Sequence, residues 1–222
     1  MILHTIPYHE AIPEQVVKLV LQGFTESGRK PELREEKVVL DSSDEDLSIR
    51  AIGAVVHDIH GGMFLGGKTT LTAAILQNLP SSTGVIVFGA EPREELLGNK
   101  NVIHVGIRTL NEKTASALNG TTWFSMNEIM RESLQEVSDS VMSVAKEWKA
   151  LYLSVDMNVV DPAFAPDVLN PSPGGLSARE LIHFVQRLKR LKNLAFVDVV
   201  GVKHDAGLQT SSLAARLILE LC

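Results

Sequence analysis

Along most of the chain, short apolar runs alternate with longer stretches in which apolar residues recur every three or four positions. Runs of the first kind suit strands buried on both faces, and stretches of the second kind suit amphipathic helices. The pattern predicts strands at Ile2–Ile6, Lys37–Leu40, Met63–Leu65, Gly84–Phe88, Val102–Ile107, Thr121–Phe124, Ala150–Leu153 and Leu194–Val200. It predicts helices from Pro13 to Gly23, Asp44 to His60, Thr69 to Leu79, Pro92 to Gly98, Leu110 to Leu118, Asn127 towards Trp148, Ser177 to about Leu191, and Ser211 to Leu221. Pro13 and Pro92 stand at first-turn positions, Gly23 and Gly61-Gly62 follow helix ends, and Ser177 with Glu180 makes a capping box. The clearest stripe is Met126, Met130, Leu134, Val137, Val141, Val144 and Trp148, which is expected to pack into the core along one continuous helix. The charged segment Glu26–Glu36 is expected to be a solvated loop. Strands alternating with helices predict an α/β chain: three layers, α/β/α, around a parallel sheet of about eight strands, in one domain over residues 1–222.

Composition narrows the function. Of 222 residues, 45% are hydrophobic and 22% charged, which is ordinary for a globular protein. A net charge of −6 argues against nucleic acid as the main partner, because phosphate binding needs a basic footprint. No apolar run reaches membrane-spanning length, and the first residues lack a secretory pattern. With Cys222 the only cysteine, no internal disulfide forms, and a cytoplasmic protein is expected.

One stretch breaks the alternation. Ser154 to Glu180 reads SVDMNVVDPAFAPDVLNPSPGGLSARE, with prolines at 162, 166, 171 and 173 that forbid helix and leave few donors for a sheet. It places Asp156 and Asp161 just past a strand, where parallel sheets carry their sites. A loop this long is costly to order, which points to a functional origin.

That stretch resembles the ureohydrolase (arginase and agmatinase) signature. Ser154, Asp156, Asp161, Pro162, Ala165, Pro166, Pro171, Pro173, Gly174, Gly175, Leu176, Arg179 and Glu180 match in register, whereas Asn158 stands for a second aspartate and Asp167 for a glycine. Gly106-Ile107-Arg108, Asp198, and Thr210 before Ala214-Ala215 match the family framework as well. The resemblance implies an arginase-like fold and a site of two manganese ions held by two histidines and four aspartates. Oxygen-rich donor sets of that kind suit hard divalent ions. The ligand positions it implies fall here on Thr69, Gly89, Glu91, Arg93, Asp156 and Asn158, of which Asp156 alone is unchanged and Glu91 is a possible substitute. The glutamate that would orient a substrate guanidinium falls on Gly201.

The expectation is therefore a scaffold without its chemistry: no catalytic residue, no cofactor, and vestigial positions where the ligands would stand. Such a protein would serve as a binding or assembly subunit, a homo-oligomer (trimer or hexamer), beside a possible active paralogue. Arg93 is expected to reach Asp156, Glu91 or both and to close the old site without an ion. The alternative is a divergent manganese-dependent hydrolase of guanidino or amidino C–N bonds.

A rival of another class rests on Gly62, Gly67, Lys68 and Thr69, which match the P-loop pattern G-x-x-x-x-G-K-[ST]. It requires a strand before Gly62 and a bare loop after it, while Met63–Leu65 reads as a strand. His57, Asp58 and His60 form a compact cluster, but histidines in the last turn of a helix favour its negative dipole end. His104 is expected to be a satisfied core histidine, Ser154 structural, and Arg187, Lys189, Arg190 and Lys192 an exposed helix face.

Overall fold

A computed structural model describes residues 2–5, 13–35, 49–51, 54, 62–65, 70–93, 96 and 100–222. Among the described residues, eight strands form one parallel sheet: β1 (Ile2–Thr5), β2 (Glu32–Glu35), β3 (Gly62–Leu65), β4 (Thr83–Phe88), β5 (Val102–Ile107), β6 (Thr122–Ser125), β7 (Ala150–Asp156) and β8 (Leu194–Val200). Their order across the sheet is β2-β1-β3-β8-β7-β4-β5-β6. Helices with described bounds are α1 (Glu14–Glu26), α2 (Thr70–Asn78), α3 (Glu112–Ala117), α4 (Met126–Glu132), α5 (Leu134–Ala145), α6 (Ala178–Leu188) and α7 (Leu208–Leu221).

Period-two alternation sorts the strand side chains into two cores. Met63, Leu65, Ile86, Phe88, Leu151, Leu153, Val155, Val197 and Val199 meet α1, α4, α5, α6 and α7 on one face. Phe64, Val85, Val87, Val102, Tyr152, Phe196 and Val200 meet Leu71, Ala74 and Ile75 of α2 on the other. The central strands β4, β5 and β7 are buried nearly throughout, as expected of a sheet covered on both sides. The three-layer parallel architecture is thus the one the sequence predicts.

Two elements differ from expectation. The second strand is Glu32–Glu35, inside the segment read as a loop, and it pairs with β1 from Ile2↔Glu32 to Thr5↔Glu35. It is an edge strand, and charged residues on an edge discourage pairing with other chains, so it lacks the apolar run of a buried strand. Residues 37–40 lie outside the described residues, as do most of the predicted Asp44–His60 helix, and His57, Asp58 and His60 with it.

The second difference is the helix after β6, which breaks at Ser133. That residue adopts φ 85, and its hydroxyl accepts from Glu136 N at 3.3 Å, so it starts α5 as a new helix. A second capping pair, Ser125 with Glu128, starts α4. The break rotates the stripe: Met126, Val137 and Val141 are buried, while Met130 is 82% exposed and Val144 is also exposed. Met130 and Val144 therefore lie outside the core, against expectation. Among the described residues, no helix is long and apolar enough to cross a membrane.

Candidate functional site

Three neighbouring strands deliver the candidate site. β8, β7 and β4 lie side by side, and being parallel they end together at the carboxyl edge. Asp156 is the last residue of β7, Gly89–Arg93 follows β4, and Gly201 follows β8.

Asp156 is 7% exposed and Arg93 equally so, and Arg93 Nη2 stands 3.6 Å from Asp156 Oδ2. That separation makes an ion pair and is longer than a hydrogen bond. The other carboxylate oxygen, Oδ1, accepts from Asn158 N at 2.9 Å and thereby caps the 3-10 turn Met157–Val159. Burial raises the Asp156 pKa above the usual carboxylate value, with the Arg93 charge opposing the rise. Asn158 turns its side-chain oxygen to Asn170 N, 2.8 Å away, which ties the turn to the proline-rich loop.

That loop is held by two residues the signature kept. Arg108 donates to Val159 O at 2.8 Å, Asn158 O at 2.6 Å and Ser172 O at 3.0 Å. The Asp161 carboxylate accepts from the backbone N–H groups of Ala163, Gly174 and Gly175, at 2.9, 2.7 and 3.3 Å. These bonds, the Ala163 one first, hold the Asp161 pKa below its ordinary value. Asp167, in place of the signature glycine, accepts from Gly207 N and from the Thr210 hydroxyl, at 3.1 and 3.3 Å. Gly207 is the N-cap of α7 and has no capping side chain, so Asp167 acts as the cap from across the fold.

Beneath Asp156, on the same face of the sheet, lies a polar group with no access to solvent. Asp198 Oδ2 accepts from the Thr72 hydroxyl and the Tyr152 hydroxyl, each at 2.6 Å, and Ser154 Oγ is 3.5 Å from Thr72 Oγ1. Burial raises the Asp198 pKa, with these bonds opposing the rise. His104 lies in the same cross-sheet row, opposite Val87, which itself pairs with Ser154. It is fully buried, and neither ring nitrogen has a hydrogen-bond partner among the described residues, so it is not the satisfied histidine expected. Burial lowers its pKa to about 4, and the positive charge of Arg93 adds to the effect. Sequence reasoning missed Tyr152 and Thr72. The signal available was the spacing Tyr152, Ser154, Asp156, which puts three polar groups on one face of a strand.

Of the other positions the resemblance implies, Gly89 is a buried turn residue whose added Cβ would stand 3.2 Å from Glu91 O. Glu91 is exposed, which removes it as a substitute ligand in the buried site. Thr69, Gly67 and Lys68 lie outside the described residues. Gly62 opens β3, and Gly62 to Leu65 pair with Phe196 to Val199 of β8 on one side, with Met63 to Leu65 also paired to β1 on the other. A P-loop needs those residues as a bare turn with free backbone N–H groups, which the paired residues Gly62 to Leu65 do not offer.

Gly201 cannot carry the glutamate that the resemblance would place there. Its φ is +87, and a Cβ built on it overlaps Asp156 Oδ1 and stands 3.2 Å from Met157 N and 3.3 Å from Asn158 Nδ2. Gly201→Ala is expected to cost about 1–3 kcal/mol from backbone strain alone, measured by urea denaturation. An unchanged midpoint would show that the positive-φ backbone at this position is not strained by a side chain. Among the described residues, the positions the resemblance implies do not offer the donors of a two-manganese site. Gly89 has no side chain, Arg93 is a cation, Asn158 is engaged by Asn170, and no three His, Cys, Asp or Glu side chains gather as a metal site among the described residues.

Comparison with known proteins places this geometry. The fold is that of the arginases. Arginase from Bacillus cereus superposes with a TM-score of 0.84 at 19% identity, covering 99% of this chain and 96% of that one. The agmatine ureohydrolase of Thermoplasma volcanium gives 0.77 at 18% identity, covering 99% and 87%. Sequence supplies the family: the Arginase family model matches residues 82–222, and the chain belongs to that family. Agmatinase from Escherichia coli O9:H4 (strain HS) is 33% identical over 137 residues, 61% of this chain and 43% of that protein. Agmatinase from Klebsiella pneumoniae (strain 342) matches to the same extent. The matched stretch spans less than half the length of these curated relatives.

Proposed function

We propose that this chain is a non-catalytic member of the arginase family, a hydrolase fold retained as a binding or assembly subunit. The observation that carries this reading is the Arg93 guanidinium 3.6 Å from Asp156, inside the cleft where relatives' chemistry would be placed. A fixed cation at that point repels metal ions and positively charged guanidino substrates alike. Gly201 supports the same reading, because no side chain fits there to orient a substrate. A homo-oligomer, trimer or hexamer, with cytoplasmic residence and an active paralogue as partner, belongs to this proposal. The exposed Met130 supplies apolar surface for such an assembly.

The test is turnover. With arginine, agmatine or formiminoglutamate, and with manganese supplied, release of urea or formamide is expected to stay at background. Metal-dependent turnover that disappears in Asp156→Ala would reverse the reading. It would establish instead a divergent hydrolase of guanidino or amidino C–N bonds, the alternative favoured by the 33% identity to agmatinases.

A further inference from the structure

We infer that Arg93 is the resident cation of this cleft: its guanidinium does the neutralising that a divalent ion would otherwise do, and holds the ends of β4, β7 and β8 together without one. The inference rests on the non-catalytic reading, but its test is separable from turnover. Asp156 and Asp198 both lie on the face of the sheet that meets α2, two residues apart in cross-strand register, since Ser154 pairs with Asp198 and Asp156 with Val200. Both are withdrawn from solvent, Asp198 completely. Two buried carboxylates in one cluster repel each other and lose hydration, so a positive charge beside them favours their ionised forms.

Arg93 is that charge. It arrives from the neighbouring strand end, is itself buried, and acts electrostatically on Asp156, Asp198, Tyr152 and His104 together. His104, the other basic group in the cluster, stays neutral, which leaves the neutralising role to Arg93. A planar guanidinium with five donors can face two acceptors at once, which a compact ammonium does less well.

The same arrangement closes the site to a metal. One oxygen of Asp156 is taken by Asn158 N, and the other faces Arg93. A side chain at position 201 would overlap the carboxylate from the β8 side, so Gly201 brings no ligand there. An ion entering beside Asp156 would have to displace the guanidinium, and the neighbouring positions Gly89 and Asn158 offer no acid in exchange.

The experiment measures manganese content and thermal midpoint on the whole chain. After loading with manganese and dialysis, wild type is expected to retain no stoichiometric metal, and manganese is expected to leave its midpoint unchanged. Arg93→Asp replaces the cation with a third acid. Its midpoint should fall in metal-free buffer and rise again with manganese, because a ligand that binds only the folded state stabilises it. Wild type that retains manganese stoichiometrically, or Arg93→Asp as stable as wild type without metal, would overturn the inference. Should Arg93→Asp not fold, Arg93→Lys decides: it should stay closer to wild type than Arg93→Met does, and equality of the two would reject the charge argument. Metal-free turnover by wild type would refute the non-catalytic reading and leave the role of Arg93 standing.

Discussion

Replacing Arg93 by methionine is expected to destabilise the folded chain by about 3–5 kcal/mol, the cost of leaving a buried charge without its counter-charge. Methionine keeps much of the volume, so the loss reports charge more than a cavity. The size follows from burial, since the Arg93 and Asp156 side chains are 8% and 11% exposed. Were the pair solvated, the same change would cost only about 0–1 kcal/mol. Urea denaturation distinguishes these values. The double variant Arg93→Met with Asp156→Asn should recover much of the loss, because the stranded carboxylate is gone. Additive losses would show that the two side chains are not coupled. An arginine buried for structural reasons alone would lose its packing in both variants and show no recovery.

The layered fold was legible because the physics that makes it is local. Apolar runs such as Val85 to Phe88 and Leu151 to Val155 are long enough to be buried on both faces, and each is followed by turn residues. The second strand was not legible. Glu32, Leu33, Arg34 and Glu35 sit at the sheet edge, where β1 on one side is enough to hold them, and edge position leaves no apolar signature in the sequence. The break at Ser133 was legible in principle. Ser133 to Glu136 is a capping box in the sequence, but seven apolar residues at helical spacing overrode it.

The site divides the same way. Asp156, Arg93 and Gly201 could be placed in one cleft because the signature fixes strand ends, and strand ends of a parallel sheet converge. The partnership of Arg93 with Asp156 was accessible by charge logic alone: a cation had appeared where acids would otherwise cluster. His104 was not accessible. Its surroundings depend on the cross-strand row through Val87, Ser154 and Asp198, and register is a property of pairing, not of any one strand. Asp167 is a comparable case, since its role as the cap of α7 joins residues 40 positions apart.

His104 carries the second large expectation, a loss of stability in mild acid. Its imidazole is held neutral by burial, with Arg93 adding, and its pKa falls from the ordinary 6.5 to about 4. Above pH 6.5 the group is neutral whether the chain is folded or not, and its contribution is fully present. Below that, the unfolded chain binds a proton that the folded chain refuses, so stability falls until about pH 4, where the folded chain binds it too. At about 1.4 kcal/mol per pH unit, that window amounts to about 3 kcal/mol. Asp156 and Asp198 act in the opposite sense, because their raised pKa values let the folded chain take up protons first as the pH falls. The total curve therefore mixes both, and the comparison with His104→Gln isolates the histidine. Glutamine is polar and does not titrate, so the difference in unfolding free energy between wild type and variant should shift towards the variant from pH 7 to pH 4. A difference that stays constant across that range would show that His104 is protonated as readily in the folded chain as in the unfolded one, and that the cluster holds an acceptor for it.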